Sequence, residues 1–244
     1  MTGEPYYVVP RFESEAHLET MVNRKPAQQT ALQVAQDPTA TLQAFRLDDL
    51  AQFTREKSFS LDDSADFRVF YVGRDDVHGV LKYLLARCSR VLKMNMFGYD
   101  DDELNSIIEG LVADEHVYVQ GTLDKSQSTG VHEKKILASW SSEMRSSFAI
   151  GESATHQISH TKGGVLDGVV AWEGSTNWSA SGEGTFPPGT SVPGDVLIDR
   201  AKRRAQYKAQ NNTLAVYVNP AEIVKFSTEL DEEHAIALGQ NAST

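Results

Sequence analysis

Between residues 67 and 123 short apolar runs alternate with amphipathic segments, and this order restricts the fold more than any other feature of the sequence. Phe67–Val72 reads as a strand, and Asp75–Ser89 as a helix whose Val77, Val80, Leu81, Leu84, Leu85 and Cys88 form one apolar stripe. Val91–Tyr99 is a second strand, Asp100–Asp114 a second helix with Leu104, Ile107, Ile108 and Leu111 on one face, and His116–Leu123 a third strand. A β-α-β-α-β order predicts an α/β fold with a mixed α+β sheet, largely parallel where crossover helices join the strands. Lys134–Phe148 is expected to add another helix.

The first 60 residues read differently. Glu13–Asn23, Ala27–Ala35 and Leu47–Lys57 have interrupted helical spacing, broken at Pro26 and at Asp37-Pro38. Residues 1–60 are therefore expected to be a helical N-terminal extension, open to partner proteins, ahead of a main domain over 61–244. Within that domain 181–210 reads as an insertion: a Gly/Pro-rich loop followed by a helix from Asp195 to Gln210.

Composition excludes several classes. A single cysteine, Cys88, rules out an intrachain disulfide framework, and its place on an apolar helix face assigns it to the core. The start of the chain lacks a basic segment followed by an apolar one, and no stretch approaches a membrane span. A cytoplasmic location without membrane attachment is the expectation. With 34 acidic against 23 basic side chains the net charge is −11, which argues against coating a polyanion by charge alone. The net-basic segment is 183–210, which carries Arg200, Lys202, Arg203, Arg204 and Lys208. These five are candidates for contact with a phosphate backbone, although the dipole of the expected helix also favours late basic residues.

The densest chemistry lies in residues 156–179. Asp167-Gly168, flanked by apolar residues, is a strong signal for a two-residue hairpin turn. In that register Lys162 faces Glu173, His160 faces Ser175 and Ile158 faces Asn177, so His160, Lys162, Glu173, Ser175 and Asn177 share one side of the sheet. A one-residue slip would scatter them. Such a group suits phosphoryl chemistry. A neutral imidazole can attack phosphorus, while an ammonium, a hydroxyl and a carboxamide hold the oxygens on which charge builds. Asp100, Asp101, Asp102 and Glu103 read as acids favoured at a helix N-terminus rather than as metal ligands. Trp172 and Trp178 flank the group; hairpin packing is their first assignment and stacking on bases or lining an acyl groove the second, with Trp178 the candidate for substrate contact.

His160-Thr-Lys162, Asp167 and Gly174-Ser175-Thr-Asn177 stand at the spacing HxK(x)4D(x)6GSxN, and in this the chain resembles the phospholipase D superfamily. The likeness extends loosely over 66–226, where the β-α-β-α-β run looks like the first half of that fold and Asn211-Asn212-Thr213 with Leu214–Val218 like its closing segment. It implies that His160 is a nucleophile forming a covalent phosphohistidine, and that Lys162 and Asn177 bind phosphate oxygens. Ser175 would support them, Gly174 is a motif element, and Asp167 holds the turn. No metal or other cofactor is implied.

Among the other six histidines, including His156, none begins a second complete HxK(x)4D(x)6GSxN motif; His132-Glu-Lys134 repeats the H-x-K alone, without the aspartate or the GSxN element. Single-motif members of the superfamily build one site from two subunits, so a homodimer is expected, with the partner's histidine as acid and base; His156, placed on the same strand, is the alternative donor. Two features depart from the pattern. Thr213 stands where a glutamate often follows the asparagine of the closing segment, and Glu173 is weighed as a substitute or as an ion-pair partner of Lys162. Gly163-Gly164 replaces bulky strand formers, which either weakens the strand or allows close backbone approach. The expected function is a metal-independent phosphodiesterase, first an endonuclease on DNA or RNA. The alternatives are a lipid hydrolase or phosphatidyltransferase and a weakly active nucleic-acid-binding module.

Overall fold

The computed structural model describes residues 46–127, 131–184 and 209–241. The helices expected within the first 45 residues, most of the 181–210 insertion and all five of its basic residues lie outside them.

Strand β1 is Phe67–Tyr71, helix α1 Val77–Leu85, β2 Val91–Met96, α2 Asp102–Val112 and β3 Tyr118–Asp124. The caps follow from sequence: Asp76 accepts the Gly79 amide ahead of α1, and Asp101 accepts the Leu104 amide ahead of α2. The single helix expected over Lys134–Phe148 is instead two helices and a strand, α3 (Val131–Ser139), α4 (Ser142–Ser147) and β4 (Phe148–Gly151). The break comes at Ser141, whose hydroxyl caps α4 by accepting the Met144 amide at 3.2 Å. The hairpin strands are β5 (Lys162–Leu166) and β6 (Val170–Gly174), followed by α5 (Ala180–Glu183), β7 (Thr213–Tyr217) and the long α6 (Pro220–Asn241).

Among the described residues seven strands form one sheet in the order β1-β7-β6-β5-β2-β3-β4. The sheet is mixed, as expected, but less parallel than the alternating order suggested. Only β2–β3 and β3–β4 run parallel, while the other pairings are antiparallel. β5, β6 and β7 enter between β1 and β2 and separate them. Leu92, Met94 and Met96 of β2 point to the face carrying α1 and α2, where Val77, Val80, Leu81, Leu104 and Ile108 are buried.

The opposite face is covered by α6, a helix that no pattern in the sequence predicts. Pro220 occupies its first turn, and Asn219 accepts the Ala221 and Glu222 amides. Ile223 and Leu230 pack on Val165, Ala171 and Tyr217. Further along, α6 meets the sheet through polar side chains. Asp231 accepts from Lys93 at 2.6 Å and from Gln120 at 3.0 Å, Glu233 accepts from Thr161 at 2.7 Å and from Asn95, and His234 lies 3.1 Å from the Thr122 hydroxyl. A buried face made of such pairs has no apolar stripe to read, which is why the acidic C-terminal stretch did not announce a helix.

The end of the N-terminal extension that is described is a 3-10 helix, Leu47–Phe53, with Leu47 and Leu50 buried. Asp48 pairs with Arg68 at 3.0 Å, and the Phe53 carbonyl accepts the Asp76 amide at 2.8 Å. No helix of the described residues is long and apolar enough to cross a membrane.

Candidate functional site

The β5–β6 turn is one residue longer than expected. Gly163 pairs with Glu173, Gly164 with Trp172, Val165 with Ala171 and Leu166 with Val170, leaving Asp167, Gly168 and Val169 in the loop. Asp167 and Gly168 both have positive φ, +54° and +69°, as the Asp-Gly signal requires. The Val169 amide closes on the Leu166 carbonyl at 3.0 Å, so Val169 is the extra residue. This shift corrects the predicted face. Lys162 points with Gly164 and Leu166 toward the α1/α2 side, whereas Glu173 points with Gly163 and Val165 toward α6. Glu173 is neither beside Lys162 nor its ion-pair partner. Its carboxylate accepts the Tyr217 hydroxyl at 2.9 Å.

Despite the slip, the key side chains converge at the C-terminal end of β2, because the two residues after that strand receive them. Phe97 holds the first pair: its ring lies 4.7 Å from the His160 ring, edge to face, and the Lys162 ammonium stands 4.8 Å from its centroid. Lys162 also donates to the His160 carbonyl at 2.8 Å. Gly98 takes the next member. A Cβ there would stand 3.0 Å from Cβ of Asn177, so the glycine lets the carboxamide pack against the chain. The Gly98 carbonyl accepts the Trp178 amide, and the Trp178 carbonyl accepts the Asp100 amide, which fixes the Asn177 segment to the end of β2. The Asn177 Oδ1 is buried without a hydrogen-bond partner.

The environment of each group differs. His160 is exposed, with its imidazole open to solvent. Lys162 is only 5% exposed, and burial lowers its pKa to about 8 against an opposing pull from Asp124. Asp124, at the end of β3, is buried and accepts the Ser159 amide at 2.6 Å, which ties the segment before His160 to the sheet. Glu133 of α3 accepts the Tyr99 amide at 2.8 Å; burial raises its carboxyl to about 7, and Asp100 and Asp124 add to the effect. No motif in the sequence marks Phe97, Gly98, Asp124 or Glu133. The available signal was their position after β2 and β3, since sites in α/β sheets gather at the carboxyl ends of strands.

The remaining candidates separate into three groups. Ser175 is exposed and lies against the closing segment: its hydroxyl donates to Asn212 Oδ1 at 3.1 Å and accepts the Thr213 amide at 3.0 Å. Gly174 pairs with Leu214, and a Cβ there would strike the Thr213 carbonyl, so the motif glycine allows β7 to close against β6. Asp167 lies at the opposite end of β5 from His160. Its carboxylate accepts the amides of Ser89, Arg90 and Val91 and the Ser89 hydroxyl at 2.8–3.0 Å, so it clamps the entry to β2 and takes no part in the site.

Two tryptophans and a histidine are corrected or settled by packing. Trp178 is 1% exposed and lies against Tyr99 with ring centroids 5.3 Å apart, so it is core and unavailable to a base. Trp172 is equally buried, and its ring fills the space that a Cβ on Gly164 would need. Gly163 likewise admits the Trp172 carbonyl and Phe226, so the two glycines serve close approach. His156 and His160 share no strand; His160 lies just before β5. His156 sits in a turn before β5 at φ +55°, 3.3 Å from Glu152, because the Ser153 and Gln157 backbones pair across that turn.

No family model and no curated protein matches this sequence. Solved structures do. NucT from Helicobacter pylori superposes with a TM-score of 0.50 at 14% identity, over 68% of this chain and 94% of that one. The phospholipase D family member Nuc from Salmonella typhimurium gives 0.46 at 13% identity, over 68% and 92%. Phosphatidylserine synthase from Haemophilus influenzae gives 0.42 at 10%, over 86% and 46%. With a seven-stranded mixed sheet among the described residues, paired helices on one face and one long helix on the other, the chain has a fold similar to that of NucT.

Proposed function

We propose that this protein is a phosphodiesterase that works through a covalent phosphohistidine at His160, in a site completed by a second subunit, and that its substrate is nucleic acid cut internally. The observation that carries this reading is the meeting of an open imidazole at His160 with the buried ammonium of Lys162 and the carboxamide of Asn177 around Phe97 and Gly98. Burial strengthens the Lys162 charge toward a phosphate oxygen, because few waters compete for it.

In the first step an imidazole nitrogen of His160 attacks phosphorus. A P–N bond forms, the bond from phosphorus to the leaving oxygen breaks, and that oxygen takes a proton from the imidazolium of the partner subunit's His160. Water then attacks the phosphohistidine, giving its proton to the imidazole of the partner subunit's His160, and the P–N bond breaks to restore His160. An exposed His160 fits a site closed by a second subunit. The nucleic-acid assignment is supported by the five basic residues of 200–208 that follow the GSTN element.

The test is a substrate panel of single- and double-stranded DNA and RNA and phosphatidylcholine vesicles, with excess EDTA, below the melting temperature of the metal-free protein. Cleavage of nucleic acid by wild type, its loss in His160→Ala, and acid-labile, base-stable phosphate trapped on the wild type are expected. Turnover of lipid alone would move the activity to a lipid substrate, and turnover equal in His160→Ala would discard the mechanism. A monomeric protein with full activity would discard the shared site.

A further inference from the structure

A second cluster of ionisable side chains takes no part in the proposed chemistry. His78 opens α1, Asp101 caps α2, and Glu183 ends α5, six residues beyond Asn177. Their ligand-type atoms all lie within 4.8 Å of one another. His78 Nδ1 stands 3.7 Å from Asp101 Oδ2 and in close contact with Glu183 Oε2. The side chain of Glu183 is fully buried, and its second oxygen, Oε1, has no hydrogen-bond partner. A buried carboxylate oxygen left without a donor is an exception that calls for a cationic partner.

We propose that His78, Asp101 and Glu183 form a binding site for a divalent transition-metal ion of the zinc type, which pins the segment following Asn177 to the N-termini of α1 and α2. Three observations converge. The nitrogen of His78 facing the two carboxylates is Nδ1, while its Nε2 lies 3.0 Å from Glu103, which Lys82 also holds. A carboxylate on the far nitrogen orients an imidazole for ligation and leaves the near lone pair toward the metal. An ion chelated by Glu183 would engage Oε1, giving the orphaned oxygen a partner. Two carboxylates also call for two positive charges, which one divalent ion supplies with His78 neutral. Donor atoms around tetrahedral zinc stand about 3.3 Å apart, so the widest separation would close by about 1.5 Å while the close His78–Glu183 contact would open to admit the ion. One nitrogen beside two carboxylates suits zinc or manganese better than magnesium or calcium, which prefer all-oxygen shells.

The ion would be structural. The Gly182 carbonyl, next to Glu183, accepts from Asn212, and the Asn177 carbonyl accepts the Ser179 amide, so fixing Glu183 secures the turn that presents Asn177.

Binding is measured on tag-free, metal-stripped His160→Ala protein, so that the outcome is independent of the proposed hydrolysis. Calorimetry with Zn²⁺ should show one ion per chain, and the Tm should rise by about 5 °C or more at a hundredfold excess over Kd. Glu183→Gln and His78→Gln should each weaken binding at least about 50-fold, and Glu103→Gln about 10-fold. In case a variant fails to fold, the ring resonances of His78 followed by NMR during Zn²⁺ addition to the parent protein give an independent reading; they should shift in step with saturation. Absence of stoichiometric Zn²⁺ binding by the parent would overturn the site and leave an imidazolium at His78 as the counter-charge. Tight binding with His78 resonances unmoved, or unchanged affinity in folded Glu183→Gln and His78→Gln, would place the ion elsewhere and overturn it equally.

Discussion

The two ends of β5 put residues of one short sequence motif to opposite uses. At the start of the strand His160 is exposed, and Lys162 keeps its charge near pH 7 in spite of burial. At the far end Asp167 is wrapped by three backbone amides and a hydroxyl, its lone pairs filled. The first end leaves polar capacity unspent and available to a substrate. The second uses all of its capacity to hold the entry of β2, the strand whose other end receives His160 and Lys162. Chemistry and scaffold are thus separated by the length of one strand, and substitution at the two ends should separate activity from stability.

The largest effect is expected at the open end. His160→Ala should lower turnover by about 10⁴-fold or more, the scale of losing a nucleophile, with a change in stability under about 0.5 kcal/mol. Steady-state kinetics beside chemical denaturation checks both halves, and a parallel loss of stability would break the comparison. At the closed end Asp167→Ala should cost about 3 kcal/mol, because the amides of Ser89, Arg90 and Val91 lose a charged acceptor together. Catalysis by the fraction still folded should change little.

Between the ends, Gly164→Ala should destabilise by about 1–3 kcal/mol through collision with the Trp172 ring. The double variant with Trp172→Phe should regain part of that loss; a neutral Gly164→Ala would contradict the close packing. A smaller effect is expected from pH. The Lys162 pKa, lowered by burial to about 8, means the ammonium is present below that value and lost above it. Productive binding of a phosphodiester should fall as pH rises, by about tenfold in kcat/KM between pH 7 and pH 9. A profile flat across that interval would remove Lys162 from phosphate binding. The smallest effect belongs to Glu173→Gln. Facing α6 and bonded to Tyr217, it should leave kcat within about twofold and cost no more than about 1 kcal/mol. A large loss of activity there would restore the two-residue turn and its register.

Much of this was legible locally. Asp76 and Asp101 announce the first two helices, and Asp167-Gly168 announces the turn. The run from Phe67 to Leu123 yields three strands and two helices at nearly their observed limits. The Asp-Gly signal could not say whether Val169 belongs to the strand or the loop, because hairpins of two and three residues share that dipeptide. That one residue decided the face of Glu173. Trp178 was ambiguous for a similar reason: an aromatic beside a motif looks the same whether it meets a ligand or Tyr99.

From the sequence by itself came the alternating architecture, the spaced motif and the identity of the groups able to act on phosphorus, since these rest on residue type and short-range periodicity. Tertiary structure alone decided which of them meet. Phe97 and Gly98 join residues more than 60 positions away, Glu233 of α6 holds Thr161, and β5 to β7 enter the sheet between β1 and β2. Such contacts between distant segments are chosen by how the whole core closes, with one helix meeting the sheet through polar side chains, and no local pattern encodes that choice.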